Sequence, residues 1–403
     1  MKKTLGVTLL FLTLANFVYA LDWGLNLTEV PLIMEGQTKL GYESSKAKLW
    51  LSTPWNGMAF RIETEGALSA STTELYSPNR NLTSALTVDL ASMTLSGTNG
   101  FSDGQTGVLG WTVGRNTVTD MTGGWIVNSR WDGASANFED RNSKAGASVG
   151  YSGLLLNSTG RVAGSPADLA DQSDTTILLA PKRVFGRASL GLNELFFRQD
   201  WQTEVLGDWD LRPGDQAVHG AYLTFGLNGP LPAGLRERLY GTGSLRITPS
   251  ESTSGFLAGG ELSSTFLFLG SRLALDAVGA WGFGGQGFQA LSGDGVADIV
   301  SLPTFHGASV KLDYSIRPVS KLSVGAKVNS LWRTSNDPPA LSGFRTDSND
   351  LWLGTEAGLY GSWNPTSELS FGWSGGIFVP QGGAFVSGTL PTELAVLTAT
   401  IKL

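Results

Sequence analysis

Residues 394–403 read Leu-Ala-Val-Leu-Thr-Ala-Thr-Ile-Lys-Leu, which places Ala395, Leu397, Ala399, Ile401 and Leu403 on one face of an extended chain and Thr398, Thr400 and Lys402 on the other. The segment has an oily side and a wet side. Outward from it, the same pattern recurs along the chain. Met58, Phe60, Ile62 and Thr64 oppose Arg61, Glu63 and Glu65, and Phe197, Trp201, Thr203 and Val205 oppose Arg198, Asp200, Gln202 and Glu204. His306, Ala308, Val310, Leu312, Tyr314 and Ile316 oppose Lys311 and Asp313, and Leu322, Val324, Ala326 and Val328 oppose Lys321, Lys327 and Asn329. Leu351, Leu353, Ala357 and Leu359 are expected on one further apolar face, and Leu369, Phe371, Trp373 and Ile377 on another.

The joints between these segments alternate in length. Asn56-Gly57, Asp140 to Lys144, Gly229 to Gly234, Gly270-Ser271, Arg317 to Ser320 and Asn364 to Thr366 are tight and turn-rich. Between them lie long polar stretches: 71–81, 116–130, 157–181, 284–303, 334–349 and 381–391. Two-faced strands with short turns at one end and long loops at the other predict an all-β, transmembrane, antiparallel up-and-down β-barrel spanning 21–403, with the long loops extracellular. Counting hairpins back from Leu403 to a first strand at Leu21 to Thr28 gives about 18 strands, with about 16 as the alternative, because the register near Ala91 and the joint between Ser96 and Gly107 are ambiguous. The closing strand is expected to pair with the first. Trp50, Trp55, Trp111, Trp332, Trp352 and Trp363 fall near strand ends and are expected to form an interfacial girdle.

Composition agrees with export. Lys2 and Lys3 precede an apolar run from Leu5 to Leu14, and Val18-Tyr19-Ala20 carries small residues at the two positions a signal peptidase reads, so 1–20 is read as a signal peptide. No later run is apolar enough for a helical span. The chain holds 53 Gly, 13 Trp and no Cys, with a formal net charge of −7 and no basic stripe, which excludes a disulfide scaffold and gives nucleic-acid binding no support.

Catalytic and cofactor motifs dissolve in context. Gly146-Ala147-Ser148-Val149-Gly150 matches a nucleophile-elbow pattern but lies inside an alternating strand with no helix after it. Gly282-Phe283-Gly284-Gly285-Gln286-Gly287 matches a dinucleotide fingerprint, again without a helix to receive a pyrophosphate. Asp208, Asp210 and Asp215 fit no calcium loop, and His219 and His306 are too scattered for zinc. No enzyme activity, cofactor or metal is therefore expected. Glu63 and Glu65 share a face as a glycosidase pair would, but Arg61 beside them favours a mixed-charge wall around water.

Val113-Gly114-Arg115-Asn116, with Trp131-Asp132-Gly133-Ala134 downstream, resembles the strand-end "V-G-R-Q" and later "D-G" pair of bacterial porins and alginate-export-type barrels; Asn116 stands where Gln is usual, and Leu403 where many such chains end on an aromatic residue. The resemblance implies a porin of the cell outer membrane, whose partners are the lipid bilayer, the barrel-insertion machinery and the solutes it passes. Alginate export would require an inner face dominated by Arg and Lys. The expected pore lining instead mixes Arg61, Arg198, Arg246 and Lys327 with Glu63, Glu65, Asp200, Glu204 and Glu356. The expected function is passive diffusion of small hydrophilic solutes, with 157–181 as the candidate constricting loop. Its rivals are a plugged barrel that anchors an adhesive surface and a soluble secreted glycan-binding protein. Oligomeric state is not encoded in any of these features.

Overall fold

The computed structural model describes residues 22–35, 40–55, 58–72, 83–101, 107–152, 183–196, 198–211, 217–266, 268–283, 307–334 and 343–402, together with 288, 290–291, 297–300 and 341. The proposed signal 1–20, the loop 157–181 and Leu403 lie outside these. The strands are β1 (Asp22–Glu35), β2 (Leu40–Trp55), β3 (Met58–Thr72), β4 (Thr83–Phe101), β5 (Gly107–Thr119), β6 (Asn128–Glu139), β7 (Ser143–Ser152), β8 (Arg183–Phe196) and β9 (Gln199–Asp210). They continue with β10 (His219–Pro230), β11 (Leu235–Ile247), β12 (Ser252–Thr265), β13 (Arg272–Phe283), β14 (Gly307–Val319), β15 (Leu322–Arg333), β16 (Trp352–Trp363), β17 (Leu369–Pro380) and β18 (Thr392–Lys402).

Each strand pairs antiparallel with its sequence neighbours, and β1 pairs with both β2 and β18, so the 18-stranded sheet closes on itself. The seam is in register at Leu27↔Ile401 and Thr28↔Thr400, where the two threonine hydroxyls lie 3.2 Å apart. Closure matters because an unpaired strand edge has no hydrogen-bond partner in hydrocarbon. No helix among the described residues is long and apolar enough to cross a membrane. The strands do carry an oily outer surface: Leu397 is 59% exposed, and Leu359, Phe225, Leu190 and Val205 are exposed likewise. A contiguous belt of this kind is costly in water and needs an apolar surround.

Large buried side chains gather inside the ring. Ile126, Val127, Phe288 and Leu291, from connections, are buried among Phe185, Leu206, Tyr222, Leu257, Leu331 and Phe378 of the strands. The core of the protein is thus a packed cluster within the barrel, against one part of its inner wall.

Four features that the sequence pattern does not predict have local causes. The β3–β4 register shifts between Glu63 and Thr64, which pair with Ser92 and Leu90, so Ala91 bulges out of the ladder at the point where the sequence was ambiguous. A second shift at Leu331/Trp332 leaves Leu353 unmatched beside Gly354, whose φ is +147°. Leu353 is therefore fully buried while Ala357 and Leu359 face outward, which corrects the expectation of one shared apolar face. Trp50 does not join a girdle: it lies across Gly24, where an added Cβ would come within 2.6 Å of the indole, and beneath Arg61, whose guanidinium is 4.9 Å from the ring centroid. Lastly, Thr117-Val118-Thr119 extend β5, so the expected loop 116–130 shrinks to 120–127, which turns inward.

The quartets 113–116 and 131–134 face each other residue for residue across β5 and β6, as Val113↔Ala134, Gly114↔Gly133, Arg115↔Asp132 and Asn116↔Trp131. Arg115 donates to both carboxylate oxygens of Asp132 at 2.7 and 2.9 Å, and both side chains are buried. Gly114 has φ +121°, and a Cβ there would stand 1.9 Å from the Met93 carbonyl oxygen. Gly114→Ala should therefore lower stability by about 1–3 kcal/mol, read as a lower urea midpoint for the loss of the heat-modifiable, compact form on gels.

In the β6–β7 turn, Asp140 accepts the backbone N–H groups of Asn142 and Ser143 at 2.7 and 2.6 Å. These bonds hold its carboxyl below the ordinary value of 3.8. A depressed folded value gives stability that is present above the unfolded value and disappears as pH falls through the folded one. Asp140→Asn should therefore destabilise the barrel at neutral pH and cease to matter once the pH has fallen through the depressed folded value, measured by thermal unfolding across that range.

Candidate functional site

Among the described residues, the connections 120–127 and 284–306 reach the inner wall of the barrel from the end that carries the long loops. In the first, 120–127, the buried Asp120 carboxylate accepts the backbone N–H groups of Thr122, Ile126 and Val127 at 2.6, 2.9 and 2.7 Å. One short side chain thereby folds the turn on itself. The wall then fastens it: Glu204 on β9 accepts the Met121 N–H at 3.3 Å and pairs with Arg187 on β8, while Arg238 on β11 donates to the Met121 carbonyl at 2.6 Å.

The second connection, 284–306, is described at 288, 290–291 and 297–300. Glu356 on β16 accepts three consecutive backbone N–H groups, those of Asp298, Ile299 and Val300, at 2.8, 2.7 and 3.0 Å, and the Asn329 side-chain amide at 3.2 Å. Successive amides converging on an anion form a nest, here closed around the protein's own carboxylate. Asp298 also meets Lys327 at 3.0 Å and Lys311 at 3.6 Å. The two connections touch where Leu291 N–H donates to the Ile126 carbonyl at 2.8 Å.

Register places the wall groups in one row. Through the ladders, Arg238 lies opposite Glu261, Glu261 opposite Asp276, Asp276 opposite Lys311, Lys311 opposite Asn329, and Asn329 opposite Glu356. Because barrel strands tilt, this row climbs diagonally from near the short-turn end at β11 toward the long-loop end at β16. Between it and the inserted connections lies a cavity of about 540 Å³, walled by Trp125 and Tyr240 and by the polar groups of Thr122, Arg238, Asp276 and Ser309. Its lining is suited to binding a small polar molecule by charge and hydrogen bonding.

The expected lining residues divide into three groups. Glu204, Lys327 and Glu356 come together around the inserted connections, as described. Arg61 and Glu63 lie on the inner face of β3, where Glu63 pairs with Arg61 at 3.0 Å and also with Lys48; Glu65 shares their face and lies opposite Lys48. Arg246 lies on the inner face of β11 opposite Gly220. Asp200, near the start of β9, accepts the Glu194 N–H at 3.0 Å. Arg198 is the exception: with φ +62° it sits exposed in the β8–β9 turn, where the hairpin reverses before the alternation resumes.

Sequence reading missed Arg238, Tyr240 and the pairing partner Asp298. The alternation of Leu235–Ile247 carries a signal for the first two. Nothing local marks Asp298, whose place depends on a connection folding inward. Ser148 lies in regular β7 opposite Arg187, not at an exposed elbow. Asp208 and Asp210 are buried beside Arg183, at 3.4 and 4.0 Å, and no metal-holding group of His, Asp or Glu occurs among the described residues.

No protein-family model and no curated protein matches the chain. Solved structures do. The chain is similar to Pseudomonas aeruginosa OccK3 (OpdO), with a TM-score of 0.62 and 11% identity over 97% of each chain. It is also similar to P. aeruginosa OccK2 (OpdF) in complex with glucuronate, with a TM-score of 0.60 and 13% identity over 95% of this chain and 96% of that one. A third likeness is to P. aeruginosa OccK5 (OpdH), with a TM-score of 0.59 and 13% identity over 96% and 99%. At these identities the likeness is one of fold, and it covers nearly the whole of each chain.

Removing the Glu356 carboxylate leaves three backbone amides without their acceptor, that of Ile299 buried and the other two partly so, a loss of about 3 kcal/mol of local stability. In Glu356→Ala, hydrogen exchange at the amides of 298–300 should accelerate by about 100-fold while the strand amides keep their protection.

Proposed function

We propose that the chain is a passive channel of the bacterial outer membrane that admits small hydrophilic solutes. The observation that carries the reading is the pairing of opposites in one ring: a closed 18-stranded sheet with an apolar outer face, and a mixed-charge inner wall on which the connections 120–127 and 284–306 rest. The fold shared with the outer-membrane porins OccK3 and OccK2 supports it, and the glucuronate bound by OccK2 is a solute of the kind proposed. In this reading 1–20 is an export signal, the amphipathic last strand is the segment offered to the insertion machinery, and Arg61, Glu63, Glu65, Arg246 and Lys327 line the water path. Export of a polyanion such as alginate is not part of the proposal, because inner-face cations are matched by acids at Lys48–Glu63, Arg187–Glu204 and Lys327–Asp298.

Purified folded protein in planar bilayers should give discrete single-channel steps, and Glu356→Ala should raise the step size by roughly a factor of two by freeing the inserted connection. Folded barrel that inserts and never conducts would sink the channel reading.

A further inference from the structure

The charges around the cavity are not all spent on one another. Glu261 is paired with Arg272, and Lys311 leans to Asp298, which Lys327 also holds. Two groups on the same wall are left over. Arg238 forms no ion pair among the described residues; it gives one N–H to the Met121 carbonyl and lies 5.9 Å from the centroid of the Tyr240 ring. Asp276 has neither a hydrogen bond nor an ion pair among the described residues, although it lies between Glu261 and Lys311 in the register row. The cavity therefore presents one cation and one anion that have no ion-pair partner among the described residues.

Their spacing is set by the sheet. Arg238 and Asp276 are two strands apart on a single row, so their Cα atoms are separated by about 10 Å. Both side chains stand roughly perpendicular to the sheet, so their charged ends stay about 10 Å apart, which leaves room between them for a molecule whose opposite charges are a few bonds apart. We infer that the cavity is a recognition site for small zwitterions, with Arg238 taking the carboxylate and Asp276 the ammonium group. Trp125 and Tyr240 offer aromatic faces to the carbon skeleton, and Thr122 and Ser309 offer hydroxyls. A monoanion would satisfy Arg238 and leave Asp276 facing it, and a monocation would do the reverse; either pays for a like charge in a confined site, which is how the wall discriminates.

The inference rests on the channel reading, and flux experiments separate the two. Proteoliposomes carrying the full barrel are assayed for uptake of radiolabelled alanine, lactate and ethanolamine, three solutes of similar size that are zwitterionic, anionic and cationic, with conductance recorded on the same preparations. Alanine uptake should saturate and exceed the other two by about tenfold at low concentration, the size expected from one charge-assisted contact. Arg238→Gln and Asp276→Asn should each remove that advantage while conductance persists, with Asp276→Asn shifting preference to lactate and Arg238→Gln to ethanolamine. Arg238→Lys keeps the charge and should keep alanine first. Equal uptake of the three solutes by a conducting wild type, or an unchanged ranking in both charge-removing variants, overturns the zwitterion site and leaves the channel intact. Absence of conductance in folded protein overturns the channel and this site with it.

Discussion

Backbone hydrogen bonding in a medium that offers no partners is the constraint from which the rest of this structure follows. A strand crossing hydrocarbon must find a ladder on both sides, and only a ring supplies one to every strand. Here β1 provides the last ladder, accepting β18 on one side and β2 on the other. Once the ring is closed, alternation assigns every side chain to lipid or to the interior, so Leu27 and Ile401 meet outside the seam where Thr28 and Thr400 meet within it.

Closure also creates the problem that the interior solves. An 18-stranded ring is too wide for its own inward side chains to fill, and the space is narrowed by connections brought in from one end. A connection carries backbone polar groups, which cannot be buried unmatched. The solution is the same in both cases: a carboxylate gathers several amides at once, Asp120 within its own turn and Glu356 from the wall. Basic side chains then fix the acids and carbonyls of the loops to the sheet, as Lys327 does for Asp298 and Arg238 for Met121. The inserted connections are thus held by an electrostatic assembly on a backbone scaffold.

The architecture was legible in the residues because lipid outside and water inside impose a period of two on every strand, and Met58 to Glu65 or Trp201 to Glu204 keep that period cleanly. It failed where one residue broke it. Leu353 reads as a lipid-facing residue until Gly354, at φ +147°, flips it inward, and Trp50 reads as a girdle residue although Gly24 opens a place for it on the inner wall. The site was less legible. Glu204, Lys327 and Glu356 read as inward charges, but their work of holding loops has no local signature, since Glu356 and the amides it binds are more than fifty positions apart.

By itself, then, the sequence determined the strand rhythm, the closed antiparallel ring and the division of side chains between two media, because each depends on the alternation of near neighbours. Only the tertiary structure decided which connections fill the ring, which charges neutralise each other and which remain. Those outcomes depend on the register between strands that are distant in the chain, where the row from Arg238 to Glu356 collects one residue from each of six strands. No local pattern encodes such a row, because the tilt and stagger that align it are properties of the closed barrel as a whole.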